Sequence, residues 1–324
     1  MQIEKYPWGH NNPYNDFSTH FKNQFNTRIQ KIAVDAGFTC PNRDGTKGRG
    51  GCTYCNNDTF NPFYCSPQKS ITKQLKEGIT FFAKKYKTQK YLAYFQAYSN
   101  TYANLNLLKT YYNEALKVAG VIGLVIATRP DCVNNALLDY LQELAKNYYI
   151  VLEYGIETCN DNTLKNINRG HTFAETVETL QMSKNRDLHV GVHYIIGLPG
   201  DSRDEMLTHS GILSQLPFET LKLHQLQIIK GTKMAKQYAK TPEMFDLFSS
   251  EEYIDFVVKF TERLNPKIII ERFISESPAD LLIAPKWGGL KNFEIVDKIK
   301  KRFRDLETWQ GNLYLPKTNK LLAN

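Results

Sequence analysis

The sequence predicts an α/β protein built on a parallel sheet that curls into a full or partial barrel. Two observations carry this expectation. Between residues 28 and 240, short apolar strand segments alternate with helical segments through six units. Ordered strand–helix alternation implies parallel strands joined by right-handed crossovers. The residues with chemistry in them also gather just after the strand segments, where barrel enzymes keep their active-site loops.

Residues 1–28 are polar and aromatic, with Asn, Pro and Gly throughout, and read as an irregular lead-in. Residues 28–35 form the first strand. Ser66-Pro67 then predicts a helix start, a capping serine before proline at the first helical position. Ile71, Leu75, Ile79, Phe82 and Tyr86 supply that helix with an apolar stripe. Strands follow at 91–96, 121–127, 148–154, 189–196 and 221–229, with helices at 105–119 and 134–146 between them. The 121–127 strand is nearly all apolar, as expected when both faces are covered. Thr172-Phe-Ala-Glu175 and Ser202-Arg-Asp-Glu205 are capping boxes that open two more helices. The core is expected to run over residues 29–240. Beyond it, Ser249 caps a helix to Leu264, residues 267–272 form a further strand, and a basic helix carries Lys298, Lys300, Lys301, Arg302 and Arg304. Residues 241–324 are therefore expected to be a C-terminal α/β extension.

The stretch from Cys40 to Cys55 organises the chain. Cys52 and Cys55 are spaced as C-x2-C, and eleven residues separate Cys40 from Cys52. Gly45, Gly48, Gly50 and Gly51 let this loop wrap closely. Three soft ligands suit an iron–sulfur cluster or zinc. A site with three ligands leaves one metal position open, which is the arrangement of a reactive centre rather than a structural one. A structural zinc site would need a fourth ligand, and Cys65 is the candidate.

Composition narrows the class. The chain has 324 residues, 42% apolar residues and a formal net charge of +8. No apolar run is long enough to span a membrane, and the N-terminus has no secretory signal. Six cysteines in a chain of this length are not a disulfide framework. These features predict a cytoplasmic protein without a membrane partner. The basic excess is compatible with nucleic acid or an anionic cofactor.

Six segments carry a family resemblance: Cys40…Cys52-Thr-Tyr-Cys55, Phe95-Gln-Ala-Tyr-Ser-Asn-Thr-Tyr-Ala103, Ala127-Thr-Arg-Pro-Asp131, Glu153-Tyr-Gly-Ile-Glu-Thr158, Asn168-Arg-Gly-His171 and Gly197-Leu-Pro-Gly200. With Glu271-Arg272 and Ala284-Pro-Lys-Trp287, they resemble a radical S-adenosylmethionine enzyme of the YhcC/YtqA type. That group is related to the elongator catalytic-subunit branch. The resemblance covers nearly all of residues 1–310.

It implies a partial (β/α)6 TIM-like barrel holding a [4Fe–4S] cluster on Cys40, Cys52 and Cys55. The fourth iron would take S-adenosylmethionine, whose one-electron reduction gives methionine and a 5′-deoxyadenosyl radical that abstracts a substrate hydrogen. Tyr54 matches an aromatic residue near the adenine, Glu157 one that reaches the ribose, and Arg169 a partner for the cofactor carboxylate. Gln96, Tyr98, Thr128 and His193 complete the cofactor-binding set that the resemblance implies. Gln96-Ala-Tyr98 stands where many members carry Gly-Gly-Glu for the cofactor amino group. The elongator kinship implies a transfer RNA substrate, at the 5-substituent of a wobble uridine, and a donor such as flavodoxin or ferredoxin. No acetyltransferase domain is recognisable, so the expected reaction differs from the elongator's.

Simpler readings stand beside these. A small-molecule substrate, or a module that only holds a metal, would use the same cysteines. Cys65, Cys132 and Cys159 read as ordinary thiols, since no second triplet is present. His193 and His224 on apolar strands can be satisfied core histidines. Trp287 could plug the barrel or stack on a base.

Overall fold

The computed structural model describes residues 6–59, 61–84 and 89–316. Its elements in order are α1 (Phe17–Phe25), β1 (Arg28–Val34), α2 (Ile71–Ala83), β2 (Gln89–Phe95), α3 (Leu105–Leu116), β3 (Val121–Thr128), α4 (Asn135–Ala145), β4 (Tyr149–Glu157), α5 (Asp161–Asn166), α6 (Phe173–Ser183), β5 (His189–Ile196), α7 (Arg203–Leu213) and β6 (Thr220–Gln225). Then come β7 (Ile228–Ile229), α8 (Lys233–Lys240), α9 (Ser250–Thr261), β8 (Ile269–Arg272), β9 (Leu282–Ala284) and α10 (Asn292–Asp305).

The strands β1-β2-β3-β4-β5-β6-β8 form one seven-stranded sheet, parallel throughout. It is a partial TIM-like barrel, six strands in chain order with a seventh supplied from the C-terminal region. Its strands are covered on both faces, so β4 is buried over nearly its whole length. Strand packing is close enough to demand glycine: a Cβ on Gly123 would lie 1.9 Å from the Tyr149 carbonyl oxygen. Outside the sheet, Ile32, Leu75, Leu124, Leu138, Leu152, Leu180 and Leu213 join one core between strands and helices. Inside, Leu92, Val125 and Val151 form a smaller cluster.

The boxes at Thr172 and Ser202 cap α6 and α7, and Ser249 caps α9, each with reciprocal side-chain bonds. Other expectations are corrected. The lead-in contains a helix: Asp16 accepts the Thr19 N–H as N-cap, and Phe17, Phe21 and Phe25 stack along one face. This helix contacts both β1 and β8, and Phe21 meets Tyr149 edge-on at 5.5 Å. It therefore spans the seam between the two edge strands. Phe21→Ala is expected to cost about 3–5 kcal/mol of stability, measured by urea unfolding.

The helix predicted at Ser66-Pro67 begins four residues later. Ser66 lies in a turn held by Gln74, whose amide also bonds Asp35 and Lys69, and Ser70 is the true cap. Tyr86 of the predicted stripe lies outside the described residues. The 221–229 strand breaks after Gln225, whose side chain bonds both backbone groups of Ser275. Its remainder, β7, turns away to pair antiparallel with β9. Conversely, β4 runs on through Gly155-Ile-Glu157, with a register shift against β5. Helix α8 has no counterpart in the sequence expectations. Among the described residues, no helix is long and apolar enough to cross a membrane.

Candidate functional site

Parallel strands direct their C-terminal loops to one end, and a cavity of about 1300 Å³, part of it open to solvent, lies there. All ten expected residues line it: Cys40, Cys52 and Cys55, with Tyr54, Gln96, Tyr98, Thr128, Glu157, Arg169 and His193. Cys65, Cys132 and Cys159 are not among its lining residues. The Cys65 thiol instead donates to the Ala33 carbonyl oxygen at 3.2 Å, so it is no fourth ligand.

The cysteine loop is fixed from several sides. Thr53 N–H donates to the Ile167 carbonyl, Asn168 Nδ2 to the Gly51 carbonyl at 2.8 Å, and Met234 N–H at the start of α8 to the Thr53 carbonyl. Gly51 adopts φ +73°, and a Cβ there would press on the Arg43 side chain. Two donors face the Cys52 sulfur, Arg169 Nη1 at 3.5 Å and Asn42 Nδ2 at 3.8 Å. Burial pushes the Cys55 thiol up to about 12, and Arg43 and Arg169 act in the opposite direction. These cations suit thiolates and an anionic cluster.

Among the described residues, no three His, Cys, Asp or Glu side chains stand close enough to share one metal ion. A zinc site needs that convergence, with each sulfur about 2.3 Å from one centre. An iron–sulfur cluster takes its thiolates on separate irons. Cys40, Cys52 and Cys55 line the same cavity, and three soft thiolates suit such a cluster.

Arg169 joins the two halves of the site. Besides Cys52, it donates to the Gly155 carbonyl, donates from Nε to His171 Nε2 at 3.1 Å, and pairs with Glu157 at 3.2 Å. Burial and then Arg169 push the His171 pKa down to about 3, so its ring is neutral and accepts that bond. Arg129 supports the same segment. It forks onto Asp131 at 2.8 and 2.9 Å and donates to the Arg169 carbonyl. Burial raises the Asp131 pKa, but the hydrogen bond and charge of Arg129 and the bond from Lys47 together outweigh this and hold it at about 2. Glu157 and Tyr98 are non-glycine residues at φ +67° and +63°. Such conformations are uncommon and cluster at functional sites. Gly155→Ala is expected to separate Glu157 from Arg169, since its Cβ would lie 2.5 Å from Glu157 Oε1 and 2.6 Å from Arg169 Nη2. Weaker S-adenosylmethionine binding in equilibrium dialysis, with the fold retained by circular dichroism, checks this.

Deeper in the barrel lies a buried charge network that the sequence reasoning missed. Lys31 of β1 pairs with Glu153 and Glu271 at 2.6 Å each. Lys222 of β6 pairs with Glu153 at 2.6 Å and Glu271 at 3.2 Å. His193 reaches Glu153 at 3.4 Å and stacks on His224 with ring centres 5.3 Å apart. Burial lowers the His193 pKa, leaving a neutral ring. The available signal was a lysine in the middle of the apolar strand Thr220-Leu-Lys-Leu. Arg43 was also missed. It lines the cavity with its guanidinium over the Tyr98 ring at 5.2 Å. Trp287 donates its indole N–H to the Phe248 carbonyl at 2.8 Å and packs on Tyr253, so it is a packing residue and not a free platform.

Comparison with known proteins agrees with this geometry. Residues 42–210 match the Radical SAM superfamily, and residues 218–305 match the Radical_SAM C-terminal domain. The chain is 33% identical to YtqA of Bacillus subtilis (strain 168) over 315 residues, which is 97% of each protein. It is 24% identical over 188 residues to a tRNA uridine(34) acetyltransferase of Methanocaldococcus infernus, 56% of this chain and 33% of that one. The structure of the archaeal Methanocaldococcus infernus Elp3 with an N-terminal deletion shares the fold at a TM-score of 0.66 and 15% identity, covering 87% of this chain and 64% of that chain. The chain belongs to the radical S-adenosylmethionine superfamily, whose enzymes work with a [4Fe–4S] cluster and S-adenosylmethionine.

Proposed function

We propose that Cys40, Cys52 and Cys55 hold the cluster and that the enzyme acts on transfer RNA, at the 5-substituent of a wobble uridine. When bound, the cluster and S-adenosylmethionine supply one-electron cleavage chemistry that ends in removal of a substrate hydrogen. The chain's own residues bind and orient. Arg169, held by Gly155 and His171, offers positive charge to the cofactor carboxylate. Glu157 accepts hydrogen bonds from ribose hydroxyls, and Tyr54 packs beside the adenine. Gln96, Tyr98, Thr128 and His193 complete the cofactor wall.

The observation that carries the RNA reading is the basic face beside the cysteine loop. Lys230, Lys233, Lys236 and Lys240 are exposed, and none enters an ion pair among the described residues. Lys233, Lys236 and Lys240 recur at helical spacing along α8. A Cβ on Gly50 of the cysteine loop would lie 2.7 Å from Lys233 Nζ, so this face borders the cavity mouth. The other basic helix, α10, is partly engaged within the protein: Arg302 pairs with Asp255 and Lys301 with Asp305. Likeness to a protein named tRNA uridine(34) acetyltransferase supports the same substrate class. The six cysteines are all free, which suits a reducing cytoplasm; the electron is taken to come from a donor such as flavodoxin or ferredoxin.

Filter binding of transfer RNA across a salt series tests the substrate. Affinity should fall linearly on log–log axes, with a slope near −0.7 to −0.9 for each phosphate contacted. The triple substitution Lys233→Glu, Lys236→Glu, Lys240→Glu should weaken binding at least about tenfold and flatten the slope. Salt-independent or absent binding would point to a small-molecule substrate.

A further inference from the structure

The β6–β8 wall of the cavity carries a cation that no carboxylate answers. Lys31 and Lys222 between them occupy both carboxylates of the network, Glu153 and Glu271. Arg272, the next residue on β8, lines the cavity but has no ion-pair partner among the described residues. One of its Nη atoms donates to His224 Nε2, and its Nε is enclosed without an acceptor. The network thus holds three cations, Lys31, Lys222 and Arg272, against two carboxylates.

His224 adds a second unfilled donor. Accepting at Nε2 places its proton on Nδ1. Burial, and then Arg272, hold its pKa well below the ordinary value, so the ring is neutral. The described residues give Nδ1 no partner. A guanidinium with no carboxylate partner and an imidazole N–H with no acceptor, both on the wall of one cavity, form a donor set without its anion. Holding such a charge half-buried is unfavourable unless something neutralises it. A planar guanidinium fork is matched by the oxygens of a carboxylate or phosphate.

We propose that Arg272 and His224 form an oxyanion-binding subsite that grips a carboxylate or phosphate group of the substrate. The inference rests on the reading of this cavity as the place where substrate meets the cofactor. The subsite sets which substrates are held with their reactive carbon facing the cysteine loop. Arg272 is a binding residue; His224 orients it through Nε2 and offers Nδ1–H to the same anion.

Thermal denaturation of the reconstituted full chain tests the subsite. S-adenosylmethionine is present throughout to fill its own carboxylate site. Sodium acetate or inorganic phosphate replaces chloride at equal ionic strength. The wild-type protein is expected to gain about 2–4 °C in Tm, with a saturable dependence on one of the two anions. Arg272→Gln should lose that gain. Arg272→Lys keeps the charge without the fork, so its half-saturating concentration should rise about tenfold. A larger gain in acetate assigns the subsite to a carboxylate, and a larger gain in phosphate assigns it to a phosphate or phosphodiester. No gain in the wild type, equal gains in Arg272→Gln, or unchanged half-saturation in Arg272→Lys overturns the proposal. Failure of the functional reading shows separately, as a wild-type protein that forms no 5′-deoxyadenosine whatever its anion response.

Discussion

Glu153→Ala is expected to lower the unfolding free energy by about 3–5 kcal/mol, the usual cost of removing one partner from a buried ion network. Glu153 is 1% exposed and is the shared partner of Lys31, Lys222 and His193. Without it, both lysines depend on Glu271. The network ties β1, β4, β6 and β8, so the loss is expected to loosen the whole barrel end. The pH dependence has a definite sign. Burial raises the Glu153 pKa, yet Lys222 and Lys31 outweigh burial and hold it well below the ordinary carboxylate value. Its contribution is therefore complete above about pH 4.5 and is lost as pH falls through the lower folded-state value. The histidines act in the same direction at higher pH. Burial lowers His171 to about 3 and His189 to about 4. Each leaves stability unchanged above about pH 6.5 and lowers it below that, because the unfolded state takes up the proton first, by up to about 1.4 kcal/mol for each pH unit down to the folded value. Urea midpoints of the wild type should fall steadily from pH 7 to pH 5. A flat profile would contradict neutral buried histidines.

Cys40→Ala, Cys52→Ala and Cys55→Ala are each expected to lose the cluster and, with it, 5′-deoxyadenosine formation below detection. Their thiols line one cavity wall, and Arg169 and Asn42 both donate to the Cys52 sulfur. Cys65→Ala should retain both, because its thiol bonds Ala33 away from the cavity. Iron content and anaerobic turnover separate the two classes. Retention of a full iron complement by Cys52→Ala would contradict the ligand assignment.

The site was more legible than its supports. The cysteine loop and the motifs after each strand carry local signals, because soft ligands and strand-end placement constrain sequence directly. Sequence reasoning therefore brought Cys40, Tyr54, Gln96, Glu157 and Arg169 to one place. The charge network left only a weak trace, since Lys31, Glu153, Lys222 and Glu271 lie far apart in sequence and meet only after the sheet curls. Helix α1 was obscured by its polar Asn and Gln residues; its aromatic face gains its meaning from Tyr149 and His189 at the starts of β4 and β5. Ser66-Pro67 followed the rule for a helix start, but Gln74 bonded the turn and moved the cap to Ser70. Helix α8 is short and rich in lysine, so its place beside the cysteine loop could be seen only in three dimensions.

Anaerobic reconstitution of the wild-type protein with iron and sulfide, followed by reduction with S-adenosylmethionine present, tests the central claim most directly. The account predicts a brown protein that binds iron and sulfide as one cluster and forms 5′-deoxyadenosine and methionine in equal amounts. A colourless protein carrying zinc, or an intact cluster that leaves S-adenosylmethionine uncleaved under strong reduction, would contradict it.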